Sequence, residues 1–167
     1  MDQHEARREA QFAEFVASRS AALTRTAYLL TGDHHLAEDL LQTALVEAAR
    51  RWERLDEPEA YVRRTLYTRN ISRWRRQRFH EVELLDHDRP SPASDPDVRI
   101  SLEQALARLT PKQRTVVVLR YFEDLTEVQT AHALGISPGT VKSTTRQAFD
   151  RLRSLAPELA DLIGATS

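Results

Sequence analysis

The sequence predicts an all-α fold in which two small helical domains are joined by a flexible linker. Apolar residues recur at helical spacing along nearly the whole chain, and no run alternates in the manner of a strand. A segment rich in proline and aspartate interrupts this pattern. Beyond it, residues 126–153 predict a helix, a glycine-containing turn and a second helix, which is a helix-turn-helix. The 167 residues, 41% of them apolar, suffice for two small cores.

The first domain, residues 1–80, begins with a helix predicted for about 5–18 that continues to about Thr31. Its apolar positions keep helical spacing at Phe12, Phe15, Val16, Leu23, Ala27 and Leu30. Gly32 favours the left-handed conformation that ends many helices, and Asp33 is a good N-cap for the next one. A break between two helices is therefore expected at these two residues.

Two further helices complete the predicted first domain. The second is expected to end near Arg54, and its buried stripe is predicted at Leu36, Leu40, Ala44, Ala48 and Trp52, with Leu41 and Leu45 beside it. Asp56 and Pro58 are typical of a helix start, so a third helix is predicted for about 58–79. Its buried side is marked by Val62 with Leu66, and by Tyr67 with Ile71 and Trp74.

Residues 81–99 are predicted to form a flexible, acidic, proline-rich linker. The stretch 86–97 contains three prolines, four aspartates and two serines, and such a composition buries too little apolar surface to order the chain. The sequence therefore leaves the relative orientation of the two domains open.

The second domain, residues 100–167, carries clear helix starts. Three hydroxyl residues are each followed three positions later by glutamine, the pattern of a capping box: Ser101 with Gln104, Thr110 with Gln113, and Thr126 with Gln129. Gly135 is expected in the left-handed turn, and Ser137 is expected to cap the last helix. On that helix the predicted buried side is Val141, Thr145, Ala148, Phe149 and Leu152, and the predicted outward side is Lys142, Ser143 and Arg146.

The positive charge of the chain is concentrated in two short stretches. The net charge is −1, yet residues 61–80 carry seven arginines and no acid, and residues 137–153 carry a net +3. Residues 1–60 are acidic, with seven arginines against twelve acidic residues. Two basic patches in an acidic surround favour a polyanion such as nucleic acid, and solvated helix faces are the alternative.

Three stretches of the sequence resemble a known family, the small extracytoplasmic-function sigma factors of the sigma-70 superfamily. They are AYLLTGDHHLAEDLLQTALVEAARRW (27–52), AYVRRTLYTRNISRWRRQR (60–78) and LARLTPKQRTVVVLRYFEDLTEVQTAHALGISPGTVKS (106–143). The third is the most specific, and the resemblance runs from about residue 10 to residue 155. It implies an alternative sigma factor that binds core RNA polymerase and directs promoter-specific initiation at −10 and −35 elements.

The resemblance also implies roles for particular residues. The segment AEDLLQ matches the family's polymerase-binding helix, which docks on the β′ coiled coil, and gives the candidate contacts Glu38, Asp39, Gln42 and Val46. The basic helix matches the −10-binding segment, with candidates Tyr61, Arg64, Arg69, Arg73, Trp74 and Arg76. The loop 53–58 matches the loop that accepts a flipped −10 base. Arginine is suited to phosphates and aromatic rings to base stacking, although these rings are also candidates for the core.

The last helix matches the family's −35-reading helix. The candidates there are Thr140, Lys142, Ser143, Arg146 and Gln147. The sequence departs from the family at Thr43, where an acid is common, and at Thr144 and Gln147, where arginines are common. These departures leave details of the polymerase contact and the −35 preference open.

Other functions fit less of the chain. His35 and Asp39 have the spacing of a metal-binding pair, with His34 and Glu38 nearby, but no third ligand is indicated. No phosphate loop, nucleophile elbow or cofactor motif occurs, so we expect no enzyme and no cofactor. A helix-turn-helix regulator acting alone would explain only the second domain.

The expected partners follow from the resemblance and the composition. They are core RNA polymerase, through its β′ coiled coil and β subunit, and promoter DNA, while control by an anti-sigma factor stays open. The chain has no cysteine, no apolar run near 20 residues and no apolar secretory region at its N-terminus, so a cytoplasmic protein without membrane insertion is expected.

Overall fold

The structure is a computed structural model that describes residues 2–80 and 101–158. Its first module, residues 2–80, consists of three long helices. Helix α1 spans Gln3–Thr31, α2 spans His34–Arg51, and α3 spans Pro58–His80. A short 3₁₀ turn, Trp52–Arg54, extends the end of α2. The described residues contain helices and no strands, which confirms the predicted all-α class.

Gly32 and Asp33 separate α1 from α2 as predicted. Gly32 has a φ of 67°, and its N–H donates to the carbonyl of Tyr28 at 2.7 Å. The Asp33 carboxylate accepts from the N–H of Leu36 at 2.9 Å and satisfies a free donor at the start of α2. Upstream, α1 is one unbroken helix from Gln3, so the helix predicted for 5–18 and its continuation to Thr31 are a single element.

The buried stripe of α2 differs by one position from the predicted one. Leu36 is 37% exposed, whereas the neighbouring Ala37 is buried, and the stripe then follows Leu41, Ala44, Leu45 and Ala48. The prediction that Leu36 belongs to the core is therefore wrong. A stripe of alanines lets α1 approach α2 closely, and this leaves Leu36 outside the contact. The α-helix also ends at Arg51, three residues before the predicted end, because the last turn tightens to 3₁₀.

Residues 101–158 of the second module form four α-helices. Helix α4 spans Leu102–Ala107, α5 spans Pro111–Val117, α6 spans Glu127–Leu134, and α7 spans Pro138–Leu155. A π-helical turn, Val118–Phe122, continues α5. The three predicted capping boxes are all present, with hydroxyl-to-amide distances of 3.1–3.2 Å at Ser101, Thr110 and Thr126.

Helices α6 and α7 form the predicted helix-turn-helix. Gly135 ends α6 with a φ of 65°, a conformation that costs a residue without Cβ little. The Ser137 hydroxyl then accepts from the N–H of Thr140 at 3.1 Å and starts α7. Val141, Ala148, Phe149 and Leu152 are buried as predicted, while Thr144 replaces the half-buried Thr145 as the buried threonine.

The two modules pack against each other, so the structure defines the relative orientation that the sequence left open. Leu106, Val117 and Leu152 lie in the same buried cluster as Leu23 and Leu66 of the first module. Ile71 of α3 joins a second cluster formed by Val116, Leu119, Ala131, Leu134 and Val141. Full burial of one such side chain contributes about 1.5–3 kcal/mol, so this contact is substantial. The predicted linker, 81–99, lies outside the described residues.

Candidate nucleic-acid interface

The outer face of α2 presents the four residues predicted to bind polymerase. Glu38, Asp39, Gln42 and Val46 are all exposed, and Val46 keeps 47% of its surface in water. The helix holds them on this side because its alanine and leucine stripe faces α1 and α3. Leu36 adds an exposed apolar group near the start of the same helix, which the sequence had assigned to the core. The face therefore combines carboxylates, an amide and two apolar groups.

A groove of about 230 Å³ runs between α2 and α3 beside this face. Asp39 and Thr43 line it from α2, and Arg69, Arg73 and Arg76 line it from α3. Arg69 is held in place by an ion pair with Glu47 of α2. The predicted polymerase face and the predicted −10 face therefore meet along one edge of the first module.

The other predicted −10 residues differ in how far they reach the surface. Arg64 and Arg76 are exposed, and Arg76 donates from Nε to the Ser72 carbonyl at 3.4 Å. Tyr61 is half-buried and packs against the core, and Trp74 is also half-buried. The side chains of Arg64 and Arg76 are therefore more exposed to solvent than the rings of Tyr61 and Trp74.

Arg73 lies partly inside the protein. Its Nη2 donates to Asn70 Oδ1 at 3.4 Å, and its Nη1 is buried without a hydrogen-bond partner among the described residues. Burial lowers the pKa of Arg73, and the Asp33 carboxylate opposes this effect only in part. The sequence grouped Arg73 with exposed phosphate contacts, because its position in the arginine run gives no sign of this burial.

Arg114 of α5 is the most deeply buried charged group at the contact between the modules. Only 7% of it is exposed, and its Nε donates to the Leu30 carbonyl at the end of α1 at 3.1 Å. Asn70 Nδ2 donates to the same carbonyl at 3.3 Å. Burial, reinforced by Arg73, lowers the pKa of Arg114 to about 10. The free carbonyls at a helix C-terminus stabilise a cation, which explains why the charge is held there.

A second arginine crosses the contact in the opposite direction. Arg75 of α3 donates to the Leu134 carbonyl at the end of α6. A Cβ on either terminal glycine would collide with the incoming guanidinium, Arg75 at Gly135 and Arg114 at Gly32. Each module therefore inserts an arginine at a glycine-capped helix end of the other.

An ion pair between Arg63 of α3 and Glu123 of the second module borders this contact. Arg63 Nη1 lies 3.5 Å from Glu123 Oε1 and donates to Thr26 Oγ1 at 2.7 Å, while its Nη2 contacts Glu59 at 3.1 Å. The Glu123 side chain is only 10% exposed. Burial raises the pKa of Glu123, and Arg63 offsets this effect only partly.

The raised pKa makes the stability of the fold depend on pH. In the folded state Glu123 binds its proton more tightly than in the unfolded chain, so this group lowers the free energy of unfolding as pH rises above its ordinary value of 4.5. We expect Glu123→Gln to remove the pH dependence that Glu123 gives to the free energy of unfolding. At pH 7.5 the free energy of unfolding of the variant should be higher than that of wild type or at most about 1 kcal/mol lower. Urea denaturation between pH 4.5 and 7.5 measures this. An unchanged slope in the variant would contradict the assignment.

The exposed face of α7 carries the residues predicted to read the −35 element. Lys142, Ser143, Arg146 and Gln147 are exposed, and neither Lys142 nor Arg146 forms an ion pair within the described residues. Thr140 is half-buried, and its hydroxyl lies 2.8 Å from that of Ser137. Thr140 therefore belongs to the helix cap as well as to the candidate surface.

Comparison with known proteins supports the division into two modules. The family model for Sigma-70 region 2 matches residues 15–80, and that for Sigma-70 region 4 matches residues 105–154. The RNA polymerase sigma-E factor of Streptomyces coelicolor is 42% identical over 149 residues, which cover 86% of this chain and 84% of the relative. The chain belongs to the sigma-70 family. The match to region 2 accounts for the first module, which a lone helix-turn-helix regulator would leave unexplained.

Other sigma factors agree with this assignment. The ECF RNA polymerase sigma factor SigL of Mycobacterium tuberculosis is 34% identical over 151 residues, which cover 84% of this chain and 85% of that protein. The sigma factor RpoE from Bartonella quintana, solved in complex with the anti-sigma factor NepR, shares the fold with a TM-score of 0.56 at 22% identity, over 87% of this chain and 96% of that one. As a member of this family, the chain is an alternative sigma factor that works with RNA polymerase in promoter recognition.

His35 and Asp39 are not joined by further residues into a group of three metal-ligating side chains anywhere in 2–80 or 101–158. None of the helices in these ranges is long and apolar enough to cross a membrane.

Proposed function

We propose that this sigma factor uses three separate surfaces to bring polymerase to a promoter. The exposed strip of α2 docks on the β′ coiled coil, the arginines of α3 hold the −10 element as a single strand, and α7 reads the −35 element as a duplex. The observation that carries this proposal is that Asp39, Arg64 and Arg146, one from each surface, are all open to solvent while the apolar sides of their helices are buried. Core polymerase performs the chemistry, so the factor itself needs no catalytic site or cofactor.

The α3 surface has the chemistry that single-strand capture requires. Arg64, Arg69 and Arg76 place three exposed guanidinium groups along one helix, and guanidinium pairs well with phosphate. Tyr61 and Trp74 are half-buried, so each offers only part of its ring for base stacking. The backbone is therefore held mainly by charge, and stacking adds a smaller component.

The partners follow from these surfaces. Core RNA polymerase binds through its β′ and β subunits, and promoter DNA binds at α3 and α7, so the factor acts in the cytoplasm. An anti-sigma factor is a further candidate partner, because a protein that covers the α2 face would compete directly with polymerase.

Holoenzyme formation tests the proposed function directly. The purified chain mixed with core RNA polymerase is expected to co-elute with it on gel filtration and to direct run-off transcription from a subset of genomic fragments. A regulator acting alone would instead shift DNA in an electrophoretic mobility assay without polymerase. Failure to co-elute, with DNA binding that is independent of polymerase, would reject the sigma-factor function.

Arg146 and Lys142 are expected to play different roles on the −35 duplex. Arg146→Ala should weaken binding to the preferred element by about 1–3 kcal/mol and flatten the ranking among sequence variants, because base contacts carry the discrimination. Lys142→Ala should weaken binding to all duplexes alike. It should also reduce the slope of log affinity against log salt concentration by about one, as expected for one lost phosphate contact. Affinities of the holoenzyme for a panel of −35 variants at several salt concentrations separate the two. An unchanged ranking and affinity in Arg146→Ala would place the reading surface elsewhere.

A further inference from the structure

The second half of α3 lies beneath the helix-turn-helix. Ile71 is only 3% exposed, and the other buried members of its cluster all belong to the second module, among them Leu134 of α6 and Val141 of α7. Four residues further along α3, the Arg75 guanidinium donates to the Leu134 carbonyl, directly before the turn at Gly135. The end of α6 and its turn therefore cover one side of α3 from Ile71 to Arg75.

The covered residues continue a line that begins in the open part of α3. Positions 64, 68, 71 and 75 follow helical spacing, and Arg75 leaves the helix within about 20° of Arg64 and about 16 Å further along the axis. Arg64 and Thr68 are exposed, whereas Ile71 is buried by the second module. A DNA strand that is bound at Arg64 and follows this line would meet the turn of the helix-turn-helix before it reached Arg75.

Arg75 has a modest partner in the packed molecule. Its acceptor, the Leu134 carbonyl, is a neutral backbone group. A phosphate oxygen forms a charge-assisted hydrogen bond with guanidinium, and such bonds are roughly twice as strong as neutral ones. Exchange of the carbonyl for a phosphate would therefore favour separation of the modules, while the burial of Ile71 opposes it.

We propose that the packed arrangement is an autoinhibited form, in which the helix-turn-helix covers the end of the −10 surface of α3. When the modules separate, Arg75 exchanges the Leu134 carbonyl for a phosphate of the −10 strand. This rests on the proposed function, and it adds to the α3 surface one DNA-binding residue and one means of regulation. Arg75 thus has two alternative partners, one within the chain and one on the DNA.

The size of the promoter also requires separation. The −35 and −10 elements are centred about 25 base pairs apart, which corresponds to about 85 Å of duplex. A compact chain of 167 residues has a radius of gyration of about 15 Å and a diameter of about 40 Å. The packed molecule is therefore too short for α3 and α7 to engage both elements at once.

Two contacts away from α3 allow the modules to be separated without a change in its DNA surface. Arg114 donates to the Leu30 carbonyl, and Arg25 of α1 lies 3.3 Å from Glu103 of α4. Arg114→Ala removes the first contact, and Arg25→Glu places two carboxylates opposite each other. Arg25→Glu also lowers the net charge by two, which by itself weakens binding to DNA. Tighter binding by this variant therefore reports separation of the modules.

The test uses the full chain and a fluorescein-labelled 12-nucleotide single strand of random sequence, followed by anisotropy, with small-angle X-ray scattering on the same samples. Arg114→Ala is expected to bind the strand about tenfold more tightly than wild type, because a site covered in most molecules has its affinity reduced by the open fraction. Arg25→Glu, which keeps the buried contact, should bind about twofold more tightly and serves if Arg114→Ala does not fold. An enlarged radius of gyration without tighter binding would overturn the proposal, and so would an unchanged radius in both variants.

The role of Arg75 is measured in whichever of these variants is open. There Arg75→Gln is expected to weaken strand binding about fivefold and to lower the slope of log affinity against log salt concentration by about 0.7, as for one phosphate contact on a single strand. Arg19→Gln is the matched control, because Arg19 is an exposed arginine of α1 that pairs with Glu59 and lies off α3. It should leave the slope unchanged. An unchanged slope in Arg75→Gln would refute the exchange of partners.

Gel filtration with core polymerase keeps this proposal distinct from the proposed function. Wild type and both opening variants are expected to co-elute with core polymerase. If they co-elute but bind the strand with equal affinity, the covering of α3 is rejected and the sigma-factor function stands. If wild type does not co-elute, the proposed function itself fails.

Discussion

Asp39→Arg is expected to weaken binding to core RNA polymerase by about 30-fold or more while leaving the helical content of the chain unchanged. Asp39 is exposed on α2, where its backbone carbonyl accepts a hydrogen bond from the Thr43 hydroxyl at 2.9 Å. Reversing a charge inside a protein interface typically costs 2 kcal/mol or more, or about 30-fold in affinity. The new arginine also enters a groove that already holds Arg69 and Arg76. Because this groove is open to water, the added repulsion should change stability by less than about 1 kcal/mol.

The control separates a local effect from a general effect of charge. Glu14 is an exposed acid on α1, so Glu14→Arg changes the net charge equally but lies off the α2 face. Titration of labelled core polymerase with wild type and both variants, together with thermal melts, measures the difference. A lower melting temperature for Asp39→Arg with unchanged polymerase affinity would show that Asp39 supports the fold and does not contact polymerase.

The parts of the fold that the sequence predicted are those governed by neighbouring residues. The capping boxes at Thr110 and Thr126, the glycine stops and the helix-turn-helix depend on interactions that span three to five positions. These features can be predicted from a single sequence because both interacting residues lie in the same short segment. Leu36 shows the limit, since its exposure depends on how closely α1 approaches α2.

The contact between the modules depends on residues far apart in the chain. Arg114 and the Leu30 carbonyl meet only after both modules have folded, and nothing near Arg114 in the sequence distinguishes it from a surface arginine. A basic cavity of about 180 Å³, lined by Arg8, Arg50, Arg51 and Arg54, was missed for a related reason. The net charge of residues 1–60 is negative, yet folding brings Arg8 beside Arg50 and Arg54 and leaves most acids elsewhere. A charge count along the chain cannot detect such a cluster.

Arg114→Ala is expected to lower the free energy of unfolding by about 3 kcal/mol and to loosen the packing of the two modules. The substitution leaves a cavity where a nearly buried side chain stood, and it removes the hydrogen bonds to the carbonyls of Leu30 and Ala107. Asn70 continues to donate to Leu30, which limits the loss. Urea denaturation measures the stability, and small-angle X-ray scattering should show a larger radius of gyration.

Arg114→Met separates packing from hydrogen bonding, because methionine fills similar space without a donor or a charge. A buried charge replaced by an apolar group of like size often costs little, and the lowered pKa of Arg114 shows that burial opposes its charged form. Arg114→Met is therefore expected to recover part of the stability that Arg114→Ala loses. If the hydrogen bonds of Arg114 orient the modules, the radius of gyration of Arg114→Met should stay larger than that of wild type. Arg146→Ala, at an exposed arginine, should change neither quantity. If Arg114→Ala matched wild type in both measurements, the buried contact would not form in solution, and the two modules would move independently.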